Sequence, residues 1–234
     1  MRINNAGRDV YAHQGNGSMN IYRAAESRPD PVPVRERNQV RVLMLAANPM
    51  STTRLPIDEE ARQIAQRLRM ARDRDDFDLI PCQAVRVTDL LQYLNQHRPH
   101  IVHFSGHGDP TGEIVLAAGD GTDRRVTAEG LAGLFRAVGG GIRVVVLNAC
   151  YSAVQAAEIS RYVDYVIGMS APIPDDAATV FAGQFYSTLG FGHTIPHAFD
   201  QASAMLTAYT NPGREVPQLL ARPHANPHLT GEPR

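Results

Sequence analysis

Two hydrophobic periods alternate along most of this chain. Residues 40–47 form an apolar run of strand length, interrupted only by Arg41 and closed by the turn signal Asn48-Pro49. After Pro56, Ile57, Ala61, Ile64, Ala65 and Leu68 recur at helical spacing, and Asp58, Glu59 and Glu60 supply the acids that a helix dipole favours in its first turn. A second strand is expected over 77–85. Thr88 then reads as the N-cap of a helix with Leu90, Leu91 and Leu94 inward, ending before Pro99. The run Ile101-Val102-His103-Phe104-Ser105-Gly106-His107-Gly108 is a third strand leading into a glycine-flanked histidine. Residues 113–117 and 124–126 flank Gly119-Asp120-Gly121 and predict a hairpin beside it. Thr127 opens a helix with Leu131, Leu134, Phe135 and Val138 on one face, ended by Gly139-Gly140-Gly141.

The β-branched run from Ile142 to Leu147 is a fourth strand, continuing into Asn148-Ala149-Cys150-Tyr151-Ser152. A helix over 152–161, whose positive end would favour a thiolate on the Cys150 that immediately precedes it, a fifth strand over 163–169, a helix opened by Asp175 or Asp176 and another opened by Thr194 complete the pattern. From 211 to 234 the periodicity is lost among Pro and His, and this stretch reads as a loosely held tail. Strand and helix alternate five times, which predicts an α/β domain over 39–210 with a mostly parallel sheet and helices on both faces.

Residues 1–38 follow a different pattern. Two Gly/Asn clusters each precede a short apolar-aromatic pair, Val10-Tyr11 and Ile21-Tyr22, and Pro29, Pro31 and Pro33 follow. One reading is a flexible leader and linker. The other is a small β-forming tag that docks on a partner or on a second copy.

Composition narrows the function classes. A net charge of -1 gives no electrostatic footprint for nucleic acid or for an anionic membrane. No run approaches the roughly 18 apolar residues of a membrane span. With only Cys82 and Cys150, a disulfide framework is implausible, so a soluble protein of a reducing cytoplasm is expected. His193, His197, His224 and His228 show no metal-ligand spacing with cysteines or carboxylates, and no cofactor or metal is expected.

In parallel sheets the functional crevice lies beyond the carboxyl ends of the strands. His107 and Cys150 both fall there, on strands that follow each other with one helix between them. A thiol and an imidazole on one rim are what a cysteine nucleophile and its acid/base require. His103 competes for the second role, but it lies within a strand, whereas His107 sits on a glycine-flanked loop. Cys82, inside a strand, reads as packing.

The paired motifs His103-Phe104-Ser105-Gly106-His107-Gly108 and Asn148-Ala149-Cys150-Tyr151-Ser152 resemble the CHAT domain, a branch of the caspase and separase peptidases. The likeness runs from Val40 to Tyr209 and includes Ala46-Ala47-Asn48-Pro49, Val166-Ile167-Gly168-Met169 and Phe185-Tyr186. It implies a caspase-like three-layer sandwich and a cysteine endopeptidase. Carried over by position, Cys150 is the nucleophile, His107 the acid/base, and the backbone N–H groups of Gly108 and Cys150 the oxyanion hole. Asn148 would line the pocket for the side chain before the scissile bond. Asp175 and Asp176 occupy the place where separases carry pocket acids, which would favour Arg or Lys in the substrate; equally, Asp175 is an N-cap and Asp176 a first-turn acid.

The resemblance further implies a protein substrate and a protein activator or sensor, docking through the N-terminal segment, in a bacterial defence or cell-death type pathway. Two other readings stand beside it. One is a catalytically silent adapter with the same fold. The other is a nucleotide-binding doubly wound domain, although Gly106-His107-Gly108-Asp109-Pro110-Thr111-Gly112 lacks the Lys-Ser/Thr of a phosphate loop.

Overall fold

The computed structural model describes residues 2–5, 8–15, 18–22, 39–48, 57–118, 122–210 and 216–229. The chain divides into two units, Met1–Arg37 and Asn38–Arg234. In the first, strands β1 (Arg2–Asn5), β2 (Arg8–Gly15) and β3 (Ser18–Tyr22) form an antiparallel sheet in the order β1-β2-β3. Val10-Tyr11 and Ile21-Tyr22 both fall in strands, and Tyr11 pairs with Tyr22 across the β2–β3 ladder. The linker expected around Pro29, Pro31 and Pro33 lies outside the described residues.

The second unit is built on a six-stranded sheet. Its strands are β4 (Val40–Ala46), β5 (Phe77–Cys82), β6 (Ile101–Ser105), β10 (Val144–Asn148), β11 (Tyr165–Met169) and β12 (Pro217–Ala221), in the order β12-β11-β10-β6-β4-β5. β4, β5, β6, β10 and β11 are parallel, and β12 adds antiparallel to β11. The three middle strands are buried along their whole length, as expected where helices cover both faces.

Alternate residues of each strand feed two separate cores. Val42, Met44, Ile101, Val144, Val146 and Ile167 face α1 (Ile57–Met70), α5 (Asp175–Gly190) and α6 (Ile195–Tyr209). Leu43, Leu45, Val102, Phe104, Val145 and Leu147 face α2 (Leu90–His97), α3 (Ala128–Val138) and α4 (Ala153–Ile159). A second small sheet, β7 (His107–Gly108), β8 (Ile114–Ala117) and β9 (Asp123–Val126), is the expected hairpin with the His107 segment as its third strand.

The caps agree with the sequence at two helices. Thr127 Oγ1 accepts from Gly130 N at 3.2 Å, and Thr194 Oγ1 accepts from His197 N at 3.3 Å. Four local expectations are corrected. Residues 87–89 form a 3-10 turn in which Asp89 accepts from Arg86 N, so Thr88 is not the cap of α2. The N-cap position of α5 is held by Pro174, which puts Asp175 and Asp176 inside the first turn. α4 starts at Ala153, so Tyr151 and Ser152 separate Cys150 from it. The stretch expected to be a loose tail contributes β12, because Gln218, Leu219 and Leu220 pair with Gly168, Ile167 and Val166, and Leu219 and Leu220 pack against opposite cores.

Candidate active site

β6 and β10 are neighbours in register, with Ser105 opposite Asn148, so the residues that follow both strands emerge together at the carboxyl edge. Gly106 N donates to Asn148 O at 3.4 Å, carrying the pairing one residue further. From there the two segments run into a common open cleft of about 210 Å³, lined by His107 and Cys150 together with Gly106, Asn148, Ala149, Asp175, Glu60, Ser105, Ile57, Ile173, Ala178 and Thr179. Most of the site residues named from the sequence, which belong to three separate segments, meet here.

Local geometry explains the glycines and the turn. A Cβ on Gly108 would lie 2.0 Å from the carbonyl oxygen of Cys150, so β7 lies directly on the backbone of the cysteine. A Cβ on Gly106 would lie 2.7 Å from the Phe104 ring and 3.0 Å from Ala47 O. Tyr151 has φ 58°, a left-handed conformation unusual for an aromatic residue, and it turns the chain sharply after Cys150. Ser152 anchors that turn: its Oγ donates to Leu147 O at 2.9 Å and accepts from Met169 N at 3.0 Å. Gln155, fully buried on α4, donates from Nε2 to Gly112 O and Val126 O, both at 2.9 Å. The hairpin that carries His107 is thereby tied to the helix that follows Cys150.

Cys150 is a free, partly exposed thiol. It was expected at a helix start, where the dipole would favour its thiolate. The structure places it on the preceding turn, and α4 is only seven residues long, so the dipole contributes less than that expectation assumed.

The two acids expected in the pocket separate. Asp175 lines the cleft. Asp176 does not; it accepts from Tyr209 Oη at 3.0 Å on α6, and that hydrogen bond pushes the tyrosine hydroxyl above its usual range. Gly108 is not among the lining residues either, and its closest approach is to the cysteine backbone.

Glu60 is the residue that sequence reasoning missed. It is 5% exposed, lines the cleft, and receives His103 Nε2 at 3.0 Å together with hydrogen bonds from Ser105 Oγ and Asn148 Nδ2. The hydroxyl of Tyr186 lies 3.2 Å from the other nitrogen of His103. Burial is the largest influence on Glu60 and raises its pKa. The charge of His103 and the hydrogen bonds from His103, Ser105 and Asn148 together outweigh it, so the carboxyl ionises below its ordinary range. Burial, and then the Glu60 charge, push the Tyr186 hydroxyl well above its usual value. His103 therefore belongs to a buried network, which separates it from the role of His107. A signal was present: Glu60 sits between Ile57 and Ile64 on the apolar face of α1, and a charge there must find partners.

This network makes stability pH-dependent. A carboxyl whose pKa is lower in the folded state stabilises the fold at neutral pH and loses that contribution as pH falls through the folded value. Glu60→Gln is expected to cost about 1–3 kcal/mol at pH 7, because an amide N–H then faces donors. In urea unfolding, the gap between the two proteins should close as the pH is taken below the ordinary carboxylate range. A gap that stays constant with pH would show that Glu60 carries no charge in the fold.

Similar proteins place the chain. Among solved structures, the fold is similar to caspase-1 from Spodoptera frugiperda, with a TM-score of 0.55 and 10% identity, covering 79% of this chain and 86% of the other. It is also similar to the Arg specific cysteine proteinase gingipain R (RgpB), with a TM-score of 0.53 and 11% identity, covering 76% and 44%. The caspase-like three-layer α/β fold is thereby shown. A protein described as a Roc-COR-CHAT protease, from an unknown prokaryotic organism, is 24% identical over 194 residues, 77% of this chain and 18% of the relative. A probable protease from Gillisia limnaea is 23% identical over 154 residues, 65% and 27%. The chain thus spans about a fifth to a quarter of the length of these relatives. The CHAT domain profile matches residues 11–228, which takes in the small N-terminal strands from β2 onward as well as β12, and on that match the chain belongs to the CHAT domain family.

Proposed function

We propose that the chain is a cysteine endopeptidase in which Cys150 and His107 form the catalytic dyad. The observation that carries this reading is the convergence of the segments after β6 and β10 on one cleft, with Gly108 pressed on the cysteine backbone. The Cys150 thiolate attacks the carbonyl carbon of the scissile bond, and the N–H groups of Gly108 and Cys150 stabilise the oxyanion. His107 protonates the departing amine as the C–N bond breaks and a thioester remains. It then takes a proton from the water that hydrolyses the thioester and returns the thiol.

Asp175 at the cleft favours a basic side chain before the scissile bond, and Asp176, engaged with Tyr209, contributes only through its field. The substrate is a protein. A protein activator docks through the N-terminal strands, in a defence or cell-death pathway like that suggested by the family. The nucleotide-binding reading loses ground at the Gly106–Gly112 stretch. There Asp109 fills the turn, accepting from Thr111 N at 3.0 Å and Glu113 N at 3.1 Å and pairing with Arg125, so the backbone donors a phosphate would need are already taken by a carboxylate.

The test is to incubate the full chain with a prokaryotic cell extract and label newly formed protein N-termini. New termini that follow basic residues, and that vanish after iodoacetamide treatment, are expected. An extract whose termini are unchanged would overturn the reading.

A further inference from the structure

We propose that Glu60 and Asn148 form the floor of the substrate pocket and select a guanidinium, so that the residue before the scissile bond is arginine rather than lysine. This rests on the peptidase reading, and the argument is an inventory of donors and acceptors. Glu60 offers about four lone-pair positions as a carboxylate. His103 Nε2 and Asn148 Nδ2 take two on Oε1, and Ser105 Oγ takes one on Oε2, which leaves an acceptor position on Oε2. Asn148 spends its amide N–H groups on Glu60 Oε1 and, at 3.3 Å, on Ala178 O. Its Oδ1 is buried and has no donor among the described residues. An amide flip does not remove the problem, because it would turn Oδ1 towards the Glu60 carboxylate.

Glu60 and Asn148, nearly buried, and the exposed Asp175 carboxylate all line the cleft, so acceptors predominate among its polar groups. Thr179 Oγ1 in the lining is already spent on Asp175 O at 2.9 Å. A buried acceptor left without a donor costs free energy, and a ligand that supplies one recovers it. Two side chains carry cations without acceptors. An ammonium is a compact and strongly hydrated charge, costly to strip of water at a floor where Glu60 is 5% and Asn148 6% exposed. A guanidinium is less strongly hydrated and carries five N–H donors in a planar fork, able to serve Glu60 Oε2 and Asn148 Oδ1 together. Ile57, Ile173 and Ala178 provide the apolar wall for its stem.

The experiment uses the full chain and peptides that differ only before the scissile bond: Arg, Lys, citrulline and Leu. Citrulline keeps the shape of arginine and removes its charge. Arginine is expected to exceed lysine at least 10-fold and citrulline at least 100-fold in kcat/KM. Glu60→Gln and Asn148→Leu should each shrink both ratios several-fold. Asp175→Asn should lower arginine and lysine alike.

A wild-type measurement stands beside these should a variant fail to fold. Benzamidine, an amidinium, is expected to slow alkylation of Cys150 by iodoacetamide, read by intact-protein mass spectrometry. Efficient cleavage after lysine or leucine, at rates like those after arginine, would overturn this pocket assignment and leave the peptidase reading standing. Protection by benzamidine with no peptide cut would overturn the peptidase reading and leave the pocket standing. Neither cleavage nor protection overturns both.

Discussion

Replacement of Cys150 by alanine is expected to lower kcat/KM by at least 10³-fold, to the level of the uncatalysed background, without loss of the fold. Among the described residues the other hydroxyls that line the cleft are engaged, Ser105 Oγ with Glu60 and Thr179 Oγ1 with Asp175 O, which leaves the thiol as the strongest nucleophile there. The thiol lies partly exposed on a turn whose geometry is held by Ser152, so its removal leaves the two cores intact. His107→Ala is expected to cost a similar factor, and the double variant no more than either single one, because a nucleophile and its acid/base act as a unit. Cys82→Ala provides the contrast. Cys82 ends β5 at the far edge of the sheet, separated from β10 by β6 and β4 and outside the cleft, and its loss should leave the rate unchanged. Measurement of kcat and KM on one arginine peptide for the wild type and all four variants decides the point. Full activity in the Cys150 variant would take the nucleophile's role from the thiol, and no cleavage by any of them, wild type included, would assign the fold to an adapter.

The elements that were legible in the sequence are those whose signal is local. β4, β6, β10 and β11 are predominantly apolar runs, interrupted by Arg41 in β4 and His103 in β6, of the kind a doubly covered sheet accommodates, and Thr127 and Thr194 cap helices through their own side chains. Their order alone brings His107 and Cys150 to one edge, since consecutive β–α–β units place β6 and β10 side by side. What escaped depends on distant partners. β12 has only five residues and starts with proline, tolerable at an edge strand, and it becomes a strand because β11 offers an open ladder. Asp176 and Asp175 are adjacent and chemically identical in sequence; only the position of Tyr209 on α6 separates their roles. Glu60 looked like a dipole-favoured acid because the same first turn holds Asp58 and Glu59. Its partners His103, Ser105 and Asn148 lie on two different strands.

Gly108→Ala tests whether the position of β7 on the cysteine backbone matters as much as the dyad itself. The added Cβ would stand 2.0 Å from Cys150 O, where ordinary contact begins at 3.4 Å. The atom it meets is backbone, and it belongs to a turn fixed by Ser152 Oγ to Leu147 O, by Met169 N to Ser152 Oγ, and by the left-handed Tyr151. The turn therefore yields little, and β7 has to lift away by more than an ångström, carrying His107 with it. Gln155 resists that movement by holding Gly112 and Val126. A displacement of about 1 Å between reacting groups is enough to cost roughly 10²-fold, and the expected loss is at least that, concentrated in kcat. The crowding itself should cost about 1–3 kcal/mol of stability. Gly133→Ala is the matching control: it lies within α3 with nothing within 4 Å of the new Cβ, and it should raise stability by about 0.5–1 kcal/mol with no change in rate. Equal kcat in the Gly108 and Gly133 variants would mean that His107 does its chemistry from a position independent of β7, and the dyad geometry argued from that contact would fall.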